Sequence, residues 1–570
     1  MRKQFLYGFA KVMVCLGGLQ IHSHAQSWTY PGCPAVTDAD FKYDTLVMHN
    51  KQPDPDLAEP DKLAFDMDAQ GNTDVYFTEI RPGNIKRYSA ATKKVKTLVK
   101  LPNWGLESDY LTVKNNTSVE EGVTGIALDP NFKTNHWIYV HWSPLPATLA
   151  VFRISRFTVT ADTILLSSEK ILLQFDAQRD ECCHTGGSMA FDDYGDLWIA
   201  QGANGGRAGS STSTPPEGMS EVKKYDSEEW GASSTHGFRG GFLRIHPDNS
   251  AKGYSIPAGN FGDYFAKQTG NAQYLDTSKV LPEIYIKGTR NNYSMALDPV
   301  RRWVAWGDVG PDDISSTIRE EVNLRKSPGF EGWPYFVGLN TNYSGGKVAA
   351  APTNTSKWNT GMTTLPPARP AFHLHTLGTA PIAGPIYRYD GDLKVAGKMP
   401  PHFTRKWFIT DYTSSKFNVL TLDSLGDKVT VAQPIFTNHT FSGPVDFRVG
   451  PDGAFYVVNY GPANFSTGNS TSIERITYKG TCSPDLPKLE KVSDVAIRTP
   501  GMVTQPNGWL VNLGTSRSIL VPQGVAGFQL YNLSGKRVWD AGHLKSGESF
   551  WLPAQLPAGT LKYRWIPAAL

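Results

Sequence analysis

Apolar and polar residues alternate with a period of two through six stretches of the chain, and each stretch leads through a tight turn to a second apolar run rich in aromatics. The first members run from Lys62 to Asp66, Gly125 to Pro130, Gly187 to Asp192, Ser294 to Pro299, Gly384 to Tyr389 and Val445 to Gly453. Their partners run from Val75 to Thr78, Trp137 to Val140, Leu197 to Ala200, Trp303 to Trp306, Lys406 to Thr410 and Phe455 to Val458. A period of two with turns at Asp-Pro and Asp-Gly specifies antiparallel strands rather than helices. A small sheet of this kind cannot bury both faces alone, so the copies must stack around an axis and close. Six copies predict an all-β, six-bladed β-propeller over 26–482, interrupted by irregular insertions such as 205–230 and 338–370.

The pattern changes after Cys482. Ser483 to Lys488 reads as a linker, and short strands follow at Gly508 to Asn512, Ser518 to Val521, Gly527 to Tyr531 and Tyr563 to Trp565. They predict a small C-terminal β-sandwich over 489–570. At the other end, Arg2 and Lys3 precede an apolar stretch from Phe5 to Ile21 and a small-residue ending, Ser23-His24-Ala25. This is the layout of an export signal over 1–25. No later stretch is apolar enough to span a bilayer, so the mature chain is expected to be secreted or at the cell surface, with the periplasm as the alternative.

Composition adds two restrictions. With 56 basic against 53 acidic side chains there is no net field to hold a polyanion, which argues against nucleic acid as a partner. Removing the leader also removes Cys15 and leaves an even set: Cys33, Cys182, Cys183 and Cys482. Cys33 lies before the first repeat and Cys482 after the last, so a bridge between them would tie the ends of a circular fold in an oxidising compartment. Cys182 and Cys183 either form a vicinal disulfide or remain two buried thiols.

Propellers carry their chemistry on loops at one end of the channel. Three spots stand out. His184, followed by Thr185-Gly186-Gly187, would sit at a blade's start with room for its ring to act as a base. Arg290 and Asn291 precede another repeat strand and offer a fork of donors and an orienting amide. Gly310-Pro311-Asp312, followed by Glu320-Glu321, combines turn carbonyls with carboxylates of the kind calcium prefers, or forms a solvated acidic turn. His373 and His375, one residue apart, would share a strand face as a candidate metal pair without an evident third ligand.

Taken in order, Gly122 to Phe132, His184 to Ser188, Arg239 to Ile245, Arg290-Asn291, Gly310 to Asp312 with Glu320 to Asn323, Gly332 to Pro334 and Gly450 to Gly453 resemble the glucose/sorbosone dehydrogenase family. The resemblance covers Lys62 to Tyr460. It implies pyrroloquinoline quinone and calcium as cofactors, and His184 as the base that takes the proton from a sugar's anomeric hydroxyl. It places Arg290, Asn291 and Glu120 beside the quinone, and Gly310, Pro311, Asp312 and Glu321 around the metal. Two features depart from the family pattern. No basic pair precedes the last Pro-Asp-Gly, where Gly443 to Arg448 stands instead, and Thr413 replaces an expected lysine, with Lys416 three residues on. Lys416, Arg448 or Arg81 must then meet the quinone's carboxylates, or the quinone is bound differently or not at all.

The phrase from Phe528 to Trp539, with Leu556 to Gly559, resembles the C-terminal sorting domains of type IX secretion cargo, which implies secretion machinery as a partner; a plain accessory sandwich is the alternative. The function expected is oxidation of a carbohydrate, with an electron acceptor the sequence does not identify. A calcium-dependent lactone or ester hydrolase and a carbohydrate-binding propeller without catalysis are the competing expectations.

Overall fold

The computed structural model describes residues 27–482 apart from 107–119, 147, 180–182, 206–218, 220, 222–223, 313, 344–346 and 463–466, together with seven strands beyond 500. The leader 1–25, Cys182, much of the 205–230 insertion and the linker 483–488 lie outside the described residues.

The six repeats become the two innermost strands of six blades. Pro60–Met67, Val123–Leu128, Gly186–Phe191, Ser294–Leu297, Pro381–Ile386 and Pro444–Val449 each begin a sheet and pair antiparallel with the next strand in sequence. In four blades the chain continues outward in simple order, as in Pro60–Met67, Thr73–Glu79, Asn84–Ser89 and Lys94–Lys100. The third blade carries an added parallel strand, Gly329–Phe330, on Ile284–Lys287. The last blade takes its outer strand from the start of the chain: Phe41–Met48 pairs with Ser472–Tyr478, Phe41 opposite Tyr478. A few residues away Cys33 and Cys482 form a disulfide. The ring is therefore closed by a shared sheet and by a covalent bond.

Alternation explains the burial. In Thr73–Glu79 the side chains Val75 and Phe77 face one neighbouring blade while Tyr76 faces the other, and all three are buried. Trp198, Trp306 and Trp407, on the second strands of three other blades, are fully buried between sheets. Burial of such rings contributes about 2–3 kcal/mol each.

Hydrogen bonds between neighbouring inner strands fix their common direction. Leu63 N donates to the Asp446 carboxylate at 2.9 Å, Met295 N to Ser188 Oγ at 3.2 Å, and Ala383 N to Ser294 Oγ at 2.7 Å. All six inner strands thus start at one end of the ring, and the segments just before them gather there. The channel between them is filled with polar contacts. Lys62 Nζ pairs with Asp61 at 2.5 Å and lies 3.7 Å over the Tyr293 ring, and Arg448 reaches Ser188 Oγ at 3.2 Å.

Beyond 500 the described strands form two small sheets. Gly501–Met502, Arg517–Leu520 and Ser549–Leu552 make one, and Asn507–Asn512, Gly559–Pro567, Val525–Tyr531 and Arg537–Gly542 the other. Phe528 is buried and stacks on Tyr563 at 5.5 Å.

Candidate active site

His184 precedes the third inner strand in a backbone few residues adopt. Cys183 and His184 have φ of 89° and 59°, and Gly186 and Gly187 follow at 68° and 107°. A Cβ at Gly187 would lie 2.5 Å from the Thr124 carbonyl oxygen, so only glycine lets this strand approach its neighbour. Strained residues of this kind cluster where a side chain must be aimed. Cys183 is disulfide-bonded; Cys182, its expected partner, is outside the described residues.

The preceding blade contributes Glu120. Its carboxylate accepts from Thr185 N at 3.3 Å and from Asn291 Nδ2 at 3.5 Å, and its carbonyl accepts from Thr185 Oγ1 at 3.1 Å. Burial pushes the Glu120 carboxyl up against the pull of those donors and of Arg290.

The fourth blade contributes Arg290 and Asn291, held by Asp308 at the end of the next strand. The Asp308 carboxylate accepts from Arg290 N at 3.2 Å and from Asn291 N at 2.7 Å. Arg290 Nη1 donates to the Val309 carbonyl at 2.8 Å, and the guanidinium lies 5.7 Å from the Trp333 ring. Asn291 Oδ1 is buried and meets no hydrogen-bond donor among the described residues. Four carboxyl groups turn their field on Arg290: Glu120, Glu228, Asp308 and Glu320. Burial lifts Asp308 to about 7 and Glu320 to about 8, so near neutrality part of this acidic ring carries protons.

A small open pocket lies beside Arg290, lined by Asp308, Gly310, Arg319, Glu321 and Trp333 among others. The positions expected to hold calcium line or flank it. Gly310 N donates to Glu320 at 3.1 Å. The Pro311 carbonyl accepts from the Arg319 guanidinium, and Asp312 pairs with the same group at 3.3 Å. The Glu321 carboxylate accepts from Gly338 N at 2.5 Å and Asn323 Nδ2 at 2.8 Å, and burial with Asp308 alongside raises it to about 8. The Pro311 carbonyl and the Glu321 carboxylate are thus engaged inside the fold, and Asp312 is paired at its surface. Among the described residues no cluster of three or more His, Cys, Asp or Glu side chains is disposed to hold a metal ion. His375 is tied to Asp411 through Nε2 at 3.0 Å, both side chains fully buried, and so does not open toward a shared ligand with His373.

Lys416 stands exposed in the turn between Lys406–Asp411 and Phe417–Leu422. That turn is at the same end of the ring, since Gly443 N donates to Ser415 Oγ at 2.9 Å. The other two cations considered are engaged. Arg81 binds Glu59, and Arg448 binds Asp446 at 2.7 Å.

Sequence reasoning missed Glu228. It lies in the short helix Glu228–Gly231, capped by Ser227 Oγ accepting from Trp230 N at 3.1 Å. Its carboxylate accepts from Gly205 N at 3.2 Å and from Trp333 Nε1, and stands 3.5 Å from His184 Nδ1. The only signal was a Ser-Glu-Glu capping phrase inside an insertion.

A six-bladed ring with a histidine, a guanidinium, an amide and a set of partly protonated carboxyls at one mouth defines a propeller with a polar site able to transfer protons. Residues 57–221 match the family model described as Glucose / Sorbosone dehydrogenase, so the resemblance read from the sequence is found independently in the first blades. The chain is similar to quinoprotein glucose dehydrogenase B from Acinetobacter calcoaceticus, 24% identical over 348 residues, which are 55% of this chain and 63% of that protein. It therefore spans less than two thirds of the curated relative it matches. Among solved structures it is similar to an oxidoreductase described as a glucose dehydrogenase from Thermus thermophilus, at 19% identity and TM-score 0.50 over 76% of this chain and 99% of that one. The apo-form of the soluble aldose sugar dehydrogenase from Escherichia coli matches at 20% identity and TM-score 0.50, over 77% and 99%. These two likenesses establish the fold.

Proposed function

We propose that this protein is an oxidoreductase that uses pyrroloquinoline quinone to oxidise the anomeric hydroxyl or aldehyde end of a sugar. The observation that carries the reading is the convergence of His184, Glu120, Arg290 and Asn291 at one end of the ring, in the order the sequence resemblance implies. The Arg290 guanidinium, a fork of donors lining the open pocket, fits a quinone's oxygens there. The exposed Lys416 ammonium, which has no carboxylate partner among the described residues, is the cation left to face the group's carboxylates.

When bound, the quinone supplies the two-electron acceptor that no side chain can provide. Everything else falls to the chain. Arg290 and Asn291 orient the acceptor's oxygens in a dry site where such bonds are strongest, and Glu120 holds the Asn291 amide in place. His184 takes the proton of the sugar hydroxyl through Nε2 as hydride leaves the carbon. The positions expected to hold calcium are partly engaged, since Pro311 and Asp312 both meet Arg319. No step is assigned to the metal. Export to an oxidising compartment is supported by the Cys33–Cys482 disulfide, and no helix among the described residues is long and apolar enough to cross a membrane.

The test is dye reduction by the purified protein incubated with pyrroloquinoline quinone and a panel of aldoses. Activity is expected, with His184→Ala lowering it by about 10²- to 10⁴-fold while the melting temperature stays put. Sugar binding without dye reduction would transfer the assignment to a carbohydrate-binding propeller, a reading favoured by the engagement of Arg81 and Arg448.

A further inference from the structure

We infer that Glu228, carried by the insertion between the second and third strands of the third blade, is the positioning residue for His184. The inference rests on the reading of His184 as the base and names the group that aims it. The Glu228 side chain is fully buried, and its Oε1 stands 3.5 Å from His184 Nδ1, the ring nitrogen turned away from the mouth if Nε2 is to meet substrate. Three further contacts fix the carboxylate. Gly205 N donates to it at 3.2 Å, Trp333 Nε1 donates to its other oxygen, and the Arg290 guanidinium attracts it. Ser227 caps the short helix that presents it.

The chemical consequence follows from tautomerism. At 3.5 Å, an ion-pair rather than a hydrogen-bond distance, the field of a carboxylate favours the proton on Nδ1 and leaves the Nε2 lone pair for the sugar hydroxyl. When Nε2 accepts that proton, the imidazolium faces the buried Glu228 carboxyl, 3.5 Å from Nδ1. The balance is simple: one proton moves from substrate oxygen to Nε2, and Nδ1 keeps its own. Trp333 joins the base to the acceptor side, since its indole N–H binds Glu228 while its ring lies under Arg290. The insertion does more than shape a substrate pocket. It completes the reaction centre.

The experiment reads the ring directly. Histidine ring ¹⁵N resonances of the protein without quinone are recorded near neutral pH, and those of His184 are assigned by their loss in His184→Ala. The unmodified protein is expected to show Nδ1 protonated and Nε2 bare; the opposite tautomer overturns the proposal. In Glu228→Gln the preference for Nδ1 is expected to weaken, and in the quinone-loaded enzyme kcat should fall by about 100-fold with KM for the sugar nearly unchanged. Glu228→Asp should recover part of the loss. A fall in activity with the His184 resonances unmoved overturns the proposal too. Failure of the quinone reading leaves a different mark, because dye reduction is then absent from the unmodified protein while the tautomer remains measurable.

Discussion

Replacing both Cys33 and Cys482 by serine removes the covalent half of the ring closure while leaving the shared sheet intact. The bridge joins residues 449 apart, so in the unfolded chain it closes a loop spanning the whole propeller. Loop-closure entropy grows as the logarithm of length, and for this span it amounts to about 6 kcal/mol at 25 °C as an upper bound. Unfolding entropy of about 2.1 cal/mol/K per residue over roughly 450 residues is close to 1 kcal/mol/K. The melting temperature should therefore drop by about 6 °C or somewhat less. The native ring should persist, because Phe41–Met48 still pairs with Ser472–Tyr478 and Phe41 still packs on Phe403 and Phe436. Differential scanning calorimetry of the parent and the double variant reads the effect, with the far-ultraviolet spectrum as the check that the sheets survive. A shift below about 1 °C would mean the bridge is not a constraint on the unfolded chain, and the argument from circular closure fails.

His141 is fully buried between Thr124 Oγ1 at 2.6 Å and Gln201 Oε1 at 2.8 Å, and burial lowers it from 6.5 to about 4. Its folded pKa lies below the unfolded one, so its contribution is whole above pH 6.5 and is lost as pH falls toward 4, by ~3 kcal/mol; urea melts at pH 7 and 4.5 should show that loss shrinking in His141→Gln. Lys62→Met should cost about 3–5 kcal/mol in the same melts, because it strands the buried Asp61 carboxylate with only Tyr293 Oη donating at 2.7 Å. Adding Asp61→Asn should recover much of that cost, and a double variant as unstable as the single one refutes the pairing.

The ring was legible because each blade repeats the same two strands, and local alternation carries that information. The covalent half of its closure was legible too, from Cys33 and Cys482 flanking the repeats, but the strand half was not. Nothing in Phe41–Met48 announces that it will lie beside Ser472–Tyr478, more than 400 residues on, since strand pairing at such range is decided by the ring's geometry. The same division holds at the site. His184 and Asn291 were legible because each precedes the start of an inner strand, and all such starts share one end, whereas Glu120 came from the resemblance alone. Lys416 reached that end through a turn, Gly443 N donating to Ser415 Oγ. The expected calcium positions read as free oxygens in sequence, but Arg319, a few residues downstream, claims the Pro311 carbonyl and Asp312. Glu228 was hidden for the reason that makes insertions hard to read: it has no repeat register, and only folding brings it from residue 228 to within 3.5 Å of residue 184.

The claim on which the functional account turns is that Arg290, Asn291, Glu120 and Lys416 form a seat for a quinone beside His184. Isothermal titration of the protein with pyrroloquinoline quinone tests it without any assumption about substrate. Saturable binding is predicted, weakened at least about tenfold by Arg290→Ala, which corresponds to about 1.4 kcal/mol. Heat no greater than that of dilution, for a protein whose melting curve shows it folded, contradicts the account.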